Sequence, residues 1–128
     1  MQAATYRTYG NPDVLKLEEI PKPSPQAGEV LVEVQASTVT AADVRMRASS
    51  LKGVFGLPLR LAFGLFGPRN PVPGMEFAGR IVGLGAQVSE FRLGDAVFGM
   101  KIGGANAAFL TIPETGAIVV RPATMTAP

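Results

Sequence analysis

The 128-residue chain carries 12 Lys+Arg against 10 Asp+Glu, a formal charge of +2, with 47% hydrophobic and 17% charged residues. This balance is too apolar and too weakly charged for a disordered chain, and the length predicts one domain burying roughly two thirds of its unfolded surface. The complete absence of His, Cys and Trp excludes a thiol nucleophile, a disulfide, a His/Cys metal cluster and a Ser-His-Asp relay. Proton transfer is left to carboxylates, hydroxyls, Lys, Tyr or water. The pI is near 9.3, but the basic residues are spread from Arg7 to Arg121 without a run. That spread reads as ordinary solvated charge and predicts no nucleic-acid partner.

The 15 Gly and 11 Pro are dispersed, so they punctuate short strands and favour a turn-rich β fold. Gln2 to Thr8 alternates weakly, Gly10-Asn11-Pro12-Asp13 supplies a turn, and Val14 to Glu18 makes a second short strand. Pro21, Pro23 and Pro25 forbid a sheet interior and predict an extended connector. Glu29 to Ala36 is the clearest strand, with Val30, Val32 and Val34 on one face and Leu31, Glu33 and Gln35 on the other. The period then changes at Thr40-Ala41-Ala42-Asp43, where Thr40 can cap a short helix reaching about Ser49 and Asp43 suits its dipole.

Leu51 to Gly67 is dense in Leu and Phe yet broken by four glycines, Pro58, Lys52 and Arg60. It is too short and too interrupted to span a membrane. Either it packs on the domain's own core, or it forms an apolar wall or flap toward a ligand or another domain. Strands are then expected over Phe77 to Leu84, Ala96 to Met100, Ala107 to Ile112 and Ile118 to Val120, with turns at Gly85-Ala86-Gln87 and Leu93-Gly94-Asp95. The pattern predicts a mainly β fold, a partly open barrel with one or two short helices.

Two glycine patterns fail as nucleotide motifs. Gly83-Leu84-Gly85-Ala86-Gln87 is followed by Val88 where a dinucleotide fingerprint requires Gly, and no helix opens there. Gly94 and Gly99 have phosphate-loop spacing, but Lys101 comes one residue late with no Ser/Thr after it. No phosphate cradle is legible.

The pattern Pro71-x-Pro73-Gly74-x-Glu76-x-Ala78-Gly79-x-Ile81-Val82-x-x-Gly85, followed by Val88, Phe91, Gly94-Asp95 and Val97, resembles the N-terminal, GroES-like domain of the medium-chain dehydrogenase/reductase superfamily. Tyr9-Gly10, Glu29 to Val32, Ala36-Ser37 and Asp43 with Arg47 agree with it, so the resemblance covers essentially the whole chain. The zinc-dependent branch of that superfamily places Cys three residues before the helix Asp and His before the motif Glu. Thr40 and Met75 stand at those positions, and neither a hydroxyl nor a thioether replaces a thiolate or an imidazole on Zn²⁺. The chain therefore resembles the zinc-independent branch, which includes quinone oxidoreductases. Many of those members carry Asn where Thr40 stands.

The resemblance implies that residues 1–128 form the substrate-side, catalytic domain of a cytoplasmic NAD(H)- or NADP(H)-dependent oxidoreductase without zinc. The dinucleotide-binding Rossmann domain would follow Pro128, the full protein would act on a small molecule, and it would dimerise with itself. Hydride would pass between nicotinamide and a quinone, an enone, or a carbonyl/alcohol pair. The weak catalytic candidates are Thr40 and Glu76, and Thr40 is the single candidate for touching the cofactor. The substrate-side cleft is expected to include Thr40, Asp43, Phe55, Phe63, Phe66 and Met75. The competing expectation is a stand-alone GroES-like binding or scaffolding module that uses the apolar 51–67 segment and has no redox role.

Overall fold

The computed structural model describes residues 1–48 and 56–126. Strands β1 (Gln2–Thr5) and β2 (Lys16–Glu19) pair in a two-stranded sheet. Strands β3 (Glu29–Ser37), β4 (Glu76–Leu84), β5 (Ala96–Met100), β6 (Phe109–Pro113) and β7 (Ala117–Val120) form a five-stranded sheet of order β6-β3-β4-β5-β7. Every pairing is antiparallel. Helices α1 (Ala41–Ala48) and α2 (Gly56–Phe63) complete the described elements. The expected barrel is present as a mainly β, curled half-barrel with two short helices.

Alternation along β3 builds the core. Val30 and Val32 are completely buried and sit opposite Ile112 and Leu110 of β6. Val32 also faces Ile81 of β4, and Phe91, Val97, Ala105 and Ile118 close the same cluster. Leu31, on the opposite face, is buried as well, because Gly83 leaves room for it: a Cβ there would lie 3.1 Å from Leu31 Cβ. The sheet bends through register shifts between Leu31 and Val32 and between Val34 and Ala36, the local kink that a bulge imposes.

Some boundaries move for identifiable reasons. The first strand ends at Thr5 rather than Thr8, because Tyr6 N–H leaves the ladder to donate to Pro71 O at 2.8 Å. The second begins at Lys16, since Pro12–Val14 form a 3-10 turn. Within the Gly- and Pro-rich 51–67 segment the chain forms α2, with Pro58 in its first turn, where a missing N–H costs no intrahelical bond.

Close approach of strands also dictates sequence. A Cβ on Gly79 would lie 2.1 Å from Glu33 O, whereas one on Gly28 would meet nothing within 4 Å. Gly79→Ala is expected to cost about 2 kcal/mol or more, and Gly28→Ala no more than about 0.5 kcal/mol, read from urea denaturation midpoints of the two variants.

Candidate functional site

The site begins where β3 gives way to α1. Thr40 N–H and Thr40 Oγ1 both donate to Asp43 Oδ2, at 2.7 and 2.9 Å, and Asp43 N–H donates back to Thr40 Oγ1 at 3.3 Å. This reciprocal arrangement is a capping box, which satisfies helix-start amides that have no intrahelical partner. Asp43 reaches further: its Oδ1 accepts Gly74 N–H at 3.2 Å, across 31 residues of sequence. Asp43 as a residue is only 7% exposed, and converging donors compensate its charge.

Gly74 is required at that position. Its φ is +92°, and a Cβ would lie 2.5 Å from Asn106 Oδ1. The Pro71–Gly74 segment is held on both sides, with Pro71 O accepting Tyr6 N–H and Pro73 O accepting Asn106 N–H at 3.0 Å. The C-terminal end of α1 is fixed as well: Arg47 Nη1 donates to Gly10 O at 2.6 Å, and Gly10 N–H returns a bond to Arg47 O. Tyr9 hydroxyl donates to Gly64 O at 2.8 Å, tying the same turn to the end of α2.

Two recesses lie beside this framework. The first is a cavity of about 110 Å³ between α1, α2 and the 68–75 segment; Asp43, Phe63 and Met75 all line it, together with Tyr6, Met46 and Asn70. The second is an open groove of about 740 Å³, lined by Ser37, Thr38, Glu76, Phe98, Met100 and Val119 among others. At its edge Thr38 Oγ1 donates to Glu76 Oε2 at 2.7 Å. Met75 and Glu76 are adjacent and enter different recesses, as successive residues entering a strand must.

The residues singled out from sequence are therefore divided. Asp43, Phe63 and Met75 meet in the cavity, Glu76 faces the groove, and Thr40 lines neither. Phe66 is 91% exposed and also lines neither. Phe55 lies outside the described residues. Sequence reasoning missed Tyr6, whose contacts come from elements distant in the chain. It also missed Thr38, although the hydroxyl-rich Ser37-Thr38-Val39-Thr40 stretch that ends β3 was a usable signal.

Gly83, Gly85 and Gly99 of the two glycine patterns serve packing, and Gly94 takes a positive φ of +90° in its turn. A Cβ on Gly85 would lie 1.9 Å from Gln26 O, and one on Gly99 would lie 2.2 Å from Ala117 O and 3.0 Å from the tip of the Phe77 ring. Lys101 spends its ammonium on Thr111 O at 2.6 Å. Among the described residues, no group of three or more His, Cys, Asp or Glu comes together to hold a metal, and no helix is long and apolar enough to cross a membrane.

Asp43→Ala is expected to cost roughly 3 kcal/mol, because it leaves the Gly74 and Thr40 amides without partners and removes a charge-assisted acceptor; thermal or urea unfolding measures it. A second expectation concerns Tyr6. Burial is the main cause that raises its phenol above 10.0, with Tyr9 and Asp43 adding to it. The folded state thus keeps this proton longer than the unfolded chain. The stability this supplies is whole below pH about 10 and is lost as pH rises through the folded value. Urea midpoints measured from pH about 8 upward should fall on the alkaline side, and less steeply in Tyr6→Phe.

Residues 26–121 match the family model described as the alcohol dehydrogenase GroES-like domain. The chain is 34% identical over 99 residues to a quinone oxidoreductase of Lama guanicoe, covering 77% of this chain and 26% of that protein. It is 41% identical over 98 residues to an NAD-dependent alcohol dehydrogenase of Sulfurisphaera tokodaii, covering 76% of this chain and 26% of that one. In three dimensions it is similar to the CurK enoyl reductase, with a TM-score of 0.82 and 26% identity over 98% of this chain and 36% of that chain. The chain spans about a quarter of the length of the two sequence relatives. With the Pro71-to-Val97 pattern folded as β4, its turn and β5, and three quarters of the chain matched, this protein belongs to the alcohol dehydrogenase GroES-like domain family of the medium-chain dehydrogenase/reductase type.

Proposed function

We propose that this chain is the substrate-side domain of a longer, cytoplasmic, homodimeric NADH- or NADPH-dependent oxidoreductase. Its reaction moves hydride between nicotinamide and a quinone, an enone, or a carbonyl/alcohol pair. The observation that carries this reading is the apolar groove with the Thr38–Glu76 hydroxyl–carboxylate pair at its edge, in a chain whose relatives are named for quinone, alcohol and enoyl substrates. Phe98, Met100 and Val119 offer the flat, apolar contact such substrates need, and Glu76 and Thr38 offer polar groups that orient an oxygen.

The nicotinamide, when bound, supplies the hydride. The described residues of this chain do not fit a dinucleotide cradle: Gly85 and Gly99 are backed by neighbouring backbone and Gly83 by the Leu31 side chain, and Lys101 is committed to a carbonyl. Cofactor binding is accordingly assigned to a second domain following Pro128. Zinc is not a fit either, because Thr40 offers a hydroxyl already bound to Asp43 and Met75 a thioether, where Zn²⁺ prefers thiolate and imidazole. The chain's own contribution is to shape the groove and hold the acceptor in place.

A second reading, a binding module without redox chemistry, draws on the outward apolar residues Leu57, Leu61, Leu65 and Phe66. Titration calorimetry and turnover separate the two. The 128-residue chain is expected to bind NADPH no more tightly than the millimolar range. The full-length gene product is expected to oxidise NADH or NADPH with a quinone or enone acceptor. Low-micromolar NADPH affinity in the short chain, or a full-length product inert toward all three substrate classes, overturns the proposal.

A further inference from the structure

The cavity behind α1 holds a polar group that the fold does not use. Tyr6 is only 4% exposed, and its ring packs edge-on to Tyr9 at 6.4 Å between centroids. Its hydroxyl has no hydrogen-bond partner among the described residues. Asn106 Oδ1 is the one side-chain oxygen or nitrogen among them that is both sealed from solvent and without a partner. The Tyr6 hydroxyl is also without a partner but is not sealed from solvent, and Tyr6 lines the cavity. A buried phenol left without a partner costs free energy unless something enters to accept its proton.

The other walls define the guest. Asp43 carries the one carboxylate on the lining and already accepts from Thr40 N–H, Thr40 Oγ1 and Gly74 N–H. A cationic guest would have to compete with those donors. Arg69 also lines the cavity, its Nη2 donating to Leu61 O at 2.9 Å, while Met46, Phe63, Val72 and Met75 make much of the remaining surface apolar; the volume of about 110 Å³ is of the order of cavities that admit a benzene-sized molecule. We propose that this cavity is a binding site for a small, neutral, largely apolar molecule bearing one acceptor oxygen, held by a hydrogen bond from the Tyr6 hydroxyl. The raised Tyr6 pKa is consistent with this, since the phenol stays protonated and can donate at neutral pH. The site is distinct from the groove, and the proposal stands whether or not the chain serves an oxidoreductase.

The test uses the 128-residue chain with ¹³C-methyl methionine and ¹³Cζ-tyrosine, titrated with cyclohexanone, which has an acceptor oxygen, and with benzene, which has none. Cyclohexanone is expected to shift the Met46 and Met75 methyls saturably and to move the Tyr6 Cζ resonance, whereas benzene moves the methyls alone. Tyr6→Phe is expected to weaken cyclohexanone binding about fivefold or more and to leave benzene binding unchanged. The proposal is overturned if neither compound shifts Met46 and Met75, which leaves water as the cavity's only occupant. It is also overturned if the shifts are confined to Met100 in the groove, or if cyclohexanone affinity is the same in Tyr6→Phe. Should that variant fail to fold, the Tyr6 Cζ response in the unmodified chain decides alone: movement with cyclohexanone and not with benzene supports the site, and equal or no movement rejects it.

Discussion

One buried carboxylate organises the region where function is expected. Asp43 joins the start of α1 to the turn that leads into β4 through donors that lie far apart in sequence. In water each of these bonds would be a near-even exchange with solvent; at a site this dry, an unanswered carboxylate or amide is costly, so the arrangement is close to all-or-none. Gly74 is drawn into its positive-φ conformation by the same constraint, and Met75 and Glu76 follow from it in fixed directions.

The five-stranded sheet then decides what those directions mean. Its core face is filled by Val30, Val32, Ile81 and Val97, all at most 1% exposed. Across the sheet, Ala36, Ala78, Phe98 and Val119 are successive register partners in one row, and all four line the groove. Small residues on the inner strands and larger ones toward the β7 edge make a shallow apolar trough. Glycines at 79 and 99 let neighbouring strands approach closely enough to curl the sheet around its core. Curling supplies the trough, and the row supplies its surface.

How much of this was legible from the sequence depends on the range over which each signal acts. The β3 alternation and the Thr40–Asp43 cap are local, carried by residues within one element, and both are present in the structure as read. The β5 and β7 strands were equally plain. The helix α2 was obscured because Gly56 and Pro58 are breakers in most positions and are harmless only in a first turn. That Met75 and Glu76 enter different recesses follows from the period of two that a strand imposes. Tyr6 could not be found at all: its cavity is assembled from α1, α2, the 68–75 segment and Gly103, and no short window of sequence contains that juxtaposition.

The absence of His and Cys limits what such a framework can contribute. With no Cys and no His, the chain has neither a thiolate nucleophile nor an imidazole proton carrier. Asp43 is consumed by structural bonds, and Glu76 is engaged with Thr38. What remains is placement: apolar walls and a few hydroxyls, of which Thr38 is held by Glu76 and Thr40 by Asp43. Placement is effective only when the supporting shell does not yield. In this chain that shell is the network from Tyr6 and Gly10 through Arg47 and Asp43 to Gly74, in which almost every member is a backbone amide, a backbone carbonyl or a group bonded to one.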